Sequence, residues 1–352
     1  MSVRARLVFA RPAARPAAHL VLAAGIPVLV AAVIIATSVG AVSIPQTTVA
    51  ATILRHLAGQ GGAGGPADTI VWDVRLPRVL LAGMVGGTLA LSGATYQSVF
   101  RNPLADPYLI GVASGAGLGA AIAIVSPLPL DYYGFGYVAL FAFVGALAAV
   151  ALTYELARSG RTVPTANHVL AGVAVSAAAT AATTLVMMLN EARAFVVFSW
   201  LYGDFTTSSW EKLRLASPYV GVSWVVLLLC THRLNALQLG DDEAATLGIR
   251  VERLKIVTVV VASLATAVCV ALSGLIGFVG LIVPHACRLL VGPDNRVLFP
   301  VTLLFGATFL ILADLGARMV LAPQELPVGI ITAAAGSPFF LILLRRQRRG
   351  LP

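Results

Sequence analysis

The sequence predicts an all-α integral membrane protein with about ten transmembrane helices. Hydrophobic residues make up 59% of the 352 residues and charged residues only 11%, whereas soluble globular domains carry about 25% charged residues. The apolar residues lie in continuous runs of about 18 or more, the length that a helix needs to cross a hydrocarbon core of about 30 Å. These runs lack the two-residue alternation of barrel strands, so they favour membrane-spanning helices over a β-barrel.

Ten apolar segments account for these runs. The first begins after His19 and reaches Val42, which is longer than the apolar core of about 7–15 residues in a removable signal peptide, so we expect it to remain as a span. The other nine follow at intervals along the chain and are separated by polar, charged or Pro- and Gly-containing stretches. The expected spans are residues 20–42, 79–100, 108–126, 136–157, 166–189, 213–231, 255–274, 277–291, 297–319 and 328–345.

The distribution of positive charge predicts the orientation. An even number of spans places both termini on one side, and that side carries 17 of the 24 Lys and Arg residues, against 7 on the other. Cytoplasmic loops carry the excess of positive charge, so both termini are expected in the cytoplasm. The arginine-rich C-terminus then indicates a cytoplasmic anchor and no nucleic-acid partner. Residues 1–18 and 347–352 are expected to be cytoplasmic tails around a single transmembrane domain, residues 19–346.

A polar elbow, residues 101–107, separates the second and third expected spans on the cytoplasmic side. Asn102 and Asp106 each precede a proline, Pro103 and Pro107, and a residue before proline is disfavoured in the α conformation. The elbow is therefore not expected to be continuous helix.

Glycines on either side of the elbow predict close helix packing. Gly111, Gly115 and Gly119 follow it at four-residue spacing, and Gly83 and Gly87 precede it at the same spacing. Small residues at this spacing share one helix face and allow a second backbone to approach.

The motifs of several enzyme and carrier classes are absent. Neither of the two lysines, Lys212 and Lys255, completes a phosphate-binding G-x-x-x-x-G-K-[ST] loop, so this chain does not bind ATP through such a motif. No metal-binding or cofactor-binding pattern and no paired nucleophile and base is present. The best intramembrane carboxylate, Asp314, has Arg318 one turn later, which is typical of a local ion pair. A self-powered secondary transporter of a small organic solute remains an alternative, disfavoured because such carriers keep ionisable groups at mid-membrane.

The longest polar loop on the cytoplasmic side, residues 237–255, offers a contact surface for a partner. Three acidic residues open a short potential helix at Asp241, where the helix dipole favours negative charge. Gly248 ends it and three basic residues follow. We expect two short helices lying on the membrane face.

Four stretches, taken together and in this order, resemble the FecCD/BtuC-type permeases, the membrane subunits of ATP-binding-cassette (ABC) importers for iron–siderophores, haem and vitamin B12. The resemblance covers nearly the whole chain from about residue 20, with Tyr108 standing where many members carry Gly. The stretches are RLPRVLLAGMVGGTLALSGATYQSVFRNPLADPYLIGVASGAG (75–117), LGDDEAATLGI (239–249), SGLIGFVGLIVPHACRLLVGPDNR (273–296) and QELPVGIITAAAGSPFFLILLRR (324–346).

The resemblance implies a BtuC-like type II importer fold in the cytoplasmic (inner) membrane. It implies a permease homodimer, two ATP-binding subunits that hold the ATP, an extracytoplasmic substrate-binding protein, and no enzymatic activity, metal or cofactor in this chain. It leaves the cargo open among the three classes of metal chelate.

The resemblance also implies roles for particular residues. The ATPase-coupling element is expected at Leu239, Gly240, Asp241, Asp242, Glu243, Ala244, Leu247 and Gly248. Docking of the binding protein is expected at Arg75, Arg78 and Arg318, for which the local alternatives are ion pairs of Arg75 with Asp73 and of Arg318 with Asp314. The cytoplasmic mouth of the pore and its helix packing are expected at Asn102, Pro103, Asp106, Pro107, Gly111, Gly115 and Gly119.

Overall fold

The protein is described here by a computed structural model covering residues 17–40, 42–60, 62, 64–127, 136–158 and 165–348. A π-helical turn, Ile70–Arg75, leads into the fourth α-helix and a 3₁₀ turn, Pro107–Ile110, leads into the fifth. The α-helices are α1 (Ala17–Ser38), α2 (Gln46–Leu57), α3 (Pro66–Thr69), α4 (Leu76–Val99), α5 (Val112–Val125), α6 (Tyr137–Ala157), α7 (Thr165–Leu189), α8 (Glu191–Leu201), α9 (Trp210–Leu229), α10 (Thr231–Leu237), α11 (Asp241–Thr246), α12 (Val251–Ser273), α13 (Val279–Val291), α14 (Asn295–Met319) and α15 (Val328–Arg348).

Every expected span coincides with a helix. Within the described ranges, seven helical segments are long and apolar enough to cross a membrane, namely α1, α4 with the turns before it, α6, α7, α9, α12 and α14. The remaining three expected spans correspond to the shorter apolar helices α5, α13 and α15. The predicted class, an all-α protein of about ten apolar helices, is confirmed.

Some connecting segments differ from expectation. The loop 237–255 holds only one short helix, α11, because Val251 already begins α12 and its hydrogen-bonded turns continue directly into the span. Gly111 lies before α5 in the left-handed region, at φ 91°, so it does not share a helix face with Gly115. Helices α2 and α8 were not anticipated. The expected tails lie largely outside the described residues, although α1 already begins at Ala17.

Helix α4 forms the centre of the bundle and is buried along nearly its whole length. It packs against α14, α12 and α13, which surround it. The expected pair Gly83 and Gly87 contacts α14, but the tightest approach on this face is at Gly86. A Cβ atom added there would overlap the carbonyl oxygen of Gly306. Glycine is needed at Gly86 because two helix backbones meet there.

The glycines after the elbow pack α5 against α6 in the same way. A Cβ on Gly115 would overlap the Gly145 carbonyl oxygen and would lie 2.5 Å from the Ala149 Cβ atom. A Cβ on Gly119 would overlap the carbonyl oxygen of Phe141. This backbone-to-backbone contact fixes the position of α5, and therefore of the elbow that leads into it.

Gly115→Leu is expected to destabilise the bundle, because a four-carbon side chain has to push α5 and α6 apart. Overpacking of this kind costs about 1–3 kcal/mol. The matched control is Gly221→Leu on α9, since nothing lies within 4 Å of a Cβ placed there. Thermal unfolding in detergent should show a lower midpoint for Gly115→Leu and little change for Gly221→Leu. Equal midpoints for the two variants would contradict the packing described for α5.

Candidate functional site

The elbow is a non-helical corner held by its own side chains. The Asn102 Oδ1 atom accepts a hydrogen bond from the backbone amide two residues on (3.0 Å), and the Asp106 Oδ1 atom does the same (2.8 Å). Pro107 is buried and opens the 3₁₀ turn, whereas Asn102 and Pro103 are exposed. Prolines and Asx turns thus set the direction in which the chain enters α5.

An open apolar cleft of 490 Å³ lies beside the elbow. The half-buried Asp106 carboxylate faces it, and burial raises the pKa of this group to about 6 although the Tyr108 amide donates to it. The Tyr108 hydroxyl donates to the Ile276 carbonyl (3.1 Å) and accepts from the Ile276 amide (3.2 Å), which ties the start of α5 to the segment before α13. The cleft is lined by Leu104, Asp106, Tyr108, Leu109, Val173, Ser176, Gly277, Phe278 and Leu281.

Helix α11 is flanked by exposed apolar side chains. Leu239 and Leu247, on either side of it, are 67% and 63% exposed, whereas Ala244 is fully buried against the bundle. Gly240 and Gly248 bound the helix with φ values of 142° and 82°, which residues with a Cβ rarely adopt. Asp242 and Glu243 are exposed on the same short helix.

The first residue of α11, Asp241, connects three elements. Its Oδ2 atom lies 2.5 Å from the Lys255 Nζ atom on α12, and its Oδ1 atom lies 3.3 Å from the Arg101 Nη2 atom at the start of the elbow. The predicted coupling segment and the predicted mouth of the pore are therefore in direct contact.

Arg75, one of the three arginines predicted for docking, is turned into the protein. Its guanidinium donates to the carbonyl oxygens of Thr37 and Ser38 (3.0 Å each) and of Val42 (2.5 Å). The alternative of an ion pair with Asp73 is wrong, because these carbonyls at and just beyond the C-terminus of α1 take up the donors of Arg75. Cations near a helix C-terminus are favoured by the helix dipole.

Arg78 and Arg318 share one buried carboxylate. Asp314, whose side chain is 1% exposed, lies 2.8 Å from the Arg78 Nη2 atom and 3.1 Å from the Arg318 Nε atom. Arg318 also donates to the Ala36 carbonyl (3.1 Å), and Arg78 pairs with Glu325 (2.8 Å), whose side chain is 40% exposed. The expected local pair of Arg318 with Asp314 is confirmed. All three arginines are thus engaged within this chain, and docking through them stays a prediction.

Comparison with known proteins assigns the family. The model of the FecCD transport family matches residues 28–346. The chain belongs to the FecCD transport family. It is 45% identical over 293 residues to the cobalamin import system permease protein BtuC of Halobacterium salinarum, covering 83% of this chain and 78% of that protein. It is 41% identical over 281 residues to the hemin transport system permease protein HmuU of Yersinia pestis, covering 79% and 84%.

A solved structure shows the same architecture. A metal-chelate type ABC transporter in an inward-facing conformation superposes on this FecCD permease with a TM-score of 0.81 at 31% identity, covering 93% of this chain and 99% of that one. The chain is therefore a multi-pass membrane protein and the permease component of an ABC importer. The alternative of a self-powered secondary transporter is not supported.

Sequence reasoning missed two contributors to these sites. Glu325 was not expected at a site, although it pairs with Arg78, which lies 247 positions earlier. Arg78, Arg318, Asp314 and Glu325 form one group of ion pairs, named the outer charge cluster after the side on which it is expected. Arg101 was expected only as the first residue of the elbow, and its left-handed backbone at φ 49° gives no signal in the sequence. Its contact with Asp241 depends on how α4 and α11 come together in the FecCD fold.

Proposed function

We propose that two copies of this FecCD permease form a homodimer in the cytoplasmic membrane, with the transport path between them and both termini in the cytoplasm. Two ATP-binding subunits drive it from the cytoplasmic side, and a substrate-binding protein delivers the cargo from outside. The observation that carries this proposal is α11, an anchored short helix flanked by two exposed leucines on the side where positive charge is concentrated.

Helix α11 has the properties of a docking element for the ATP-binding subunit. A partner that covers Leu239 and Leu247 would be stabilised in the complex, since burial of a leucine side chain contributes about 1.5–3 kcal/mol of free energy. The buried Ala244 packs the helix against the bundle, and the two flanking glycines set the angle at which the helix lies. A force applied to the leucines is therefore transmitted to the permease.

The cargo is a bulky metal chelate of the class formed by cobalamin, haem and ferric siderophores. The names of the relatives point to this class, since one imports cobalamin and another transports hemin. The cleft beside the elbow supports it as well, because its lining is apolar except for Asp106, Tyr108 and Ser176. Such a surface holds a large ligand weakly, so discrimination between the three chelates belongs to the binding protein.

Docking of the binding protein is assigned to the outer charge cluster, with Arg78 as its contact residue. Arg75 and Arg318 donate to carbonyls of the α1 terminus and support the cluster from within. Arg78 is different because one of its partners, Glu325, is 40% exposed. A carboxylate of the incoming binding protein can therefore replace Glu325 as the partner of Arg78. Arginine suits this role since its planar fork grips a carboxylate with two hydrogen bonds.

Two substitutions with opposite expected effects test the docking proposal. Arg78→Gln removes the contact and leaves Asp314 paired with Arg318, so affinity for the binding protein should fall about ten-fold. Glu325→Gln frees Arg78, so affinity should rise. Both effects should weaken with added salt, because screening reduces attraction between exposed charges. Affinities measured in nanodiscs that are the same for both variants would remove the docking role.

The assembly itself is tested by native mass spectrometry of the complex co-purified with its ATP-binding subunit. The proposal predicts two permease chains with two ATP-binding chains. A permease that purifies as a monomer without any ATP-binding chain would contradict it.

The chelate class is tested by titrating the binding protein with cyanocobalamin, hemin and a ferric siderophore.

A further inference from the structure

The C-terminus of α4 carries an arginine where glycine is the usual residue. The Asn102 amide donates to the Gln97 carbonyl (3.2 Å), which is the long hydrogen bond of a Schellman motif, and Arg101 occupies its left-handed position at φ 49°. Glycine adopts this conformation freely, whereas a side chain makes it sterically unfavourable. The backbone conformation at this position therefore favours glycine, so a role for arginine here has to come from its side chain.

The side chain of Arg101 contacts α11 through a single carboxylate. The Arg101 Nη2 atom lies 3.3 Å from the Asp241 Oδ1 atom, and the other oxygen of Asp241 is held by Lys255. Within the described residues, α11 makes these two ion pairs and no others. One joins it to the elbow and the other joins it to α12.

The pair of Arg101 with Asp241 is too exposed to matter much for folding. The side chains of Arg101 and Asp241 are 46% and 40% exposed, and ion pairs at such positions contribute little to stability. The pair does, however, join the start of the elbow to α11. A movement of α11 would therefore either carry the Arg101 side chain with it or break this contact.

We propose that Asp241 is a positioning residue that couples movement of α11 to the elbow through Arg101, so that an ATP-driven shift of α11 changes the cytoplasmic mouth of the path. This inference rests on the proposed function of α11 as the ATPase contact. Arg101 supplies the element with two arrangements that coupling requires. The two arrangements are an Arg101 side chain paired with Asp241, as at the 3.3 Å separation seen here, and one released from it.

The test compares transport with ATP hydrolysis in proteoliposomes that contain the permease, its ATP-binding subunit and its binding protein. The probe cargoes are cyanocobalamin, hemin and ferric citrate. Arg101→Gly removes the side chain and gives the left-handed position its preferred residue, so thermal stability should be kept or improved. We expect the amount of cargo moved per ATP hydrolysed to fall about five-fold or more, the low end of coupling between sites. Asp241→Asn should lower the ratio similarly, and the double variant should add no further loss.

Controls separate positioning from other roles. Arg101→Lys keeps the charge and should restore most of the coupling ratio. Arg253→Gln removes an exposed cationic residue in the first turn of α12 and should leave the ratio unchanged. The inference is overturned if transport and hydrolysis fall together in Arg101→Gly, or if the losses in the two single variants add. If the parent importer shows no ATP-dependent uptake of any probe, the proposed function fails, and the inference with it.

Discussion

Leu247→Glu is expected to abolish ATP-dependent uptake while the permease still folds and inserts. The Leu247 side chain is 63% exposed at the end of α11, so a carboxylate there disturbs nothing within the chain. In the complex it would lie unpaired against the ATP-binding subunit, and burying an unpaired charge is costly. Uptake assays, together with the yield of monodisperse permease, separate loss of function from loss of fold. Gly248→Arg alone should also impair uptake, since φ at Gly248 is 82° and a residue with a Cβ rarely adopts that conformation.

The control for this prediction is Leu247→Met, which keeps an apolar side chain of similar volume. Such exchanges are usually tolerated, so uptake should remain near the parent rate. Full uptake by the Leu247→Glu variant would show that α11 does not lie in the contact with the ATP-binding subunit.

Asp314→Ala is expected to cause the largest loss of stability among single substitutions at the outer charge cluster. Two guanidinium groups, those of Arg78 and Arg318, are 11% and 6% exposed and share this carboxylate. Removing one partner of a buried ion pair leaves an uncompensated charge and costs about 3–5 kcal/mol. The free energy of unfolding, measured by denaturant titration in mixed micelles, should fall by about that amount.

Glu325→Gln is the matched control for Asp314→Ala. It removes a carboxylate that also pairs with Arg78, but Glu325 is 40% exposed, and exposed pairs contribute about 0–1 kcal/mol. A loss for Asp314→Ala no larger than that for Glu325→Gln would mean that the arginines find water or other partners, so that the cluster is not a structural clamp.

Much of the fold could be predicted because a bilayer imposes a strong constraint. A span needs about 20 apolar residues, and that requirement is local, so α12 was expected from residue 255 and observed from Val251. Helices α2 and α8 were not expected, because a long apolar run is what identifies a span in the sequence. At 12 and 11 residues these two helices are too short to form such a run.

The candidate sites were only partly predictable. Arg318 and Asp314 lie four positions apart, so helix geometry alone indicated their pair. Arg78 reaches Asp314 across 236 positions, and no local pattern encodes that contact. The inward turn of Arg75 has a similar origin, because its partners are carbonyl oxygens at and just beyond the end of α1, and backbone acceptors leave no mark in the sequence.

ATP-driven accumulation of cargo in proteoliposomes tests the central claim most directly. Vesicles that hold the permease with its ATP-binding subunit, supplied outside with binding protein and chelate, should accumulate the chelate only when ATP is enclosed. Accumulation should stop when the ATP-binding subunit cannot hydrolyse ATP, and it should persist when ionophores collapse the proton and sodium gradients. Uptake that continues without ATP and disappears with the ionophores would contradict the claim, since the permease would then be powered by an ion gradient.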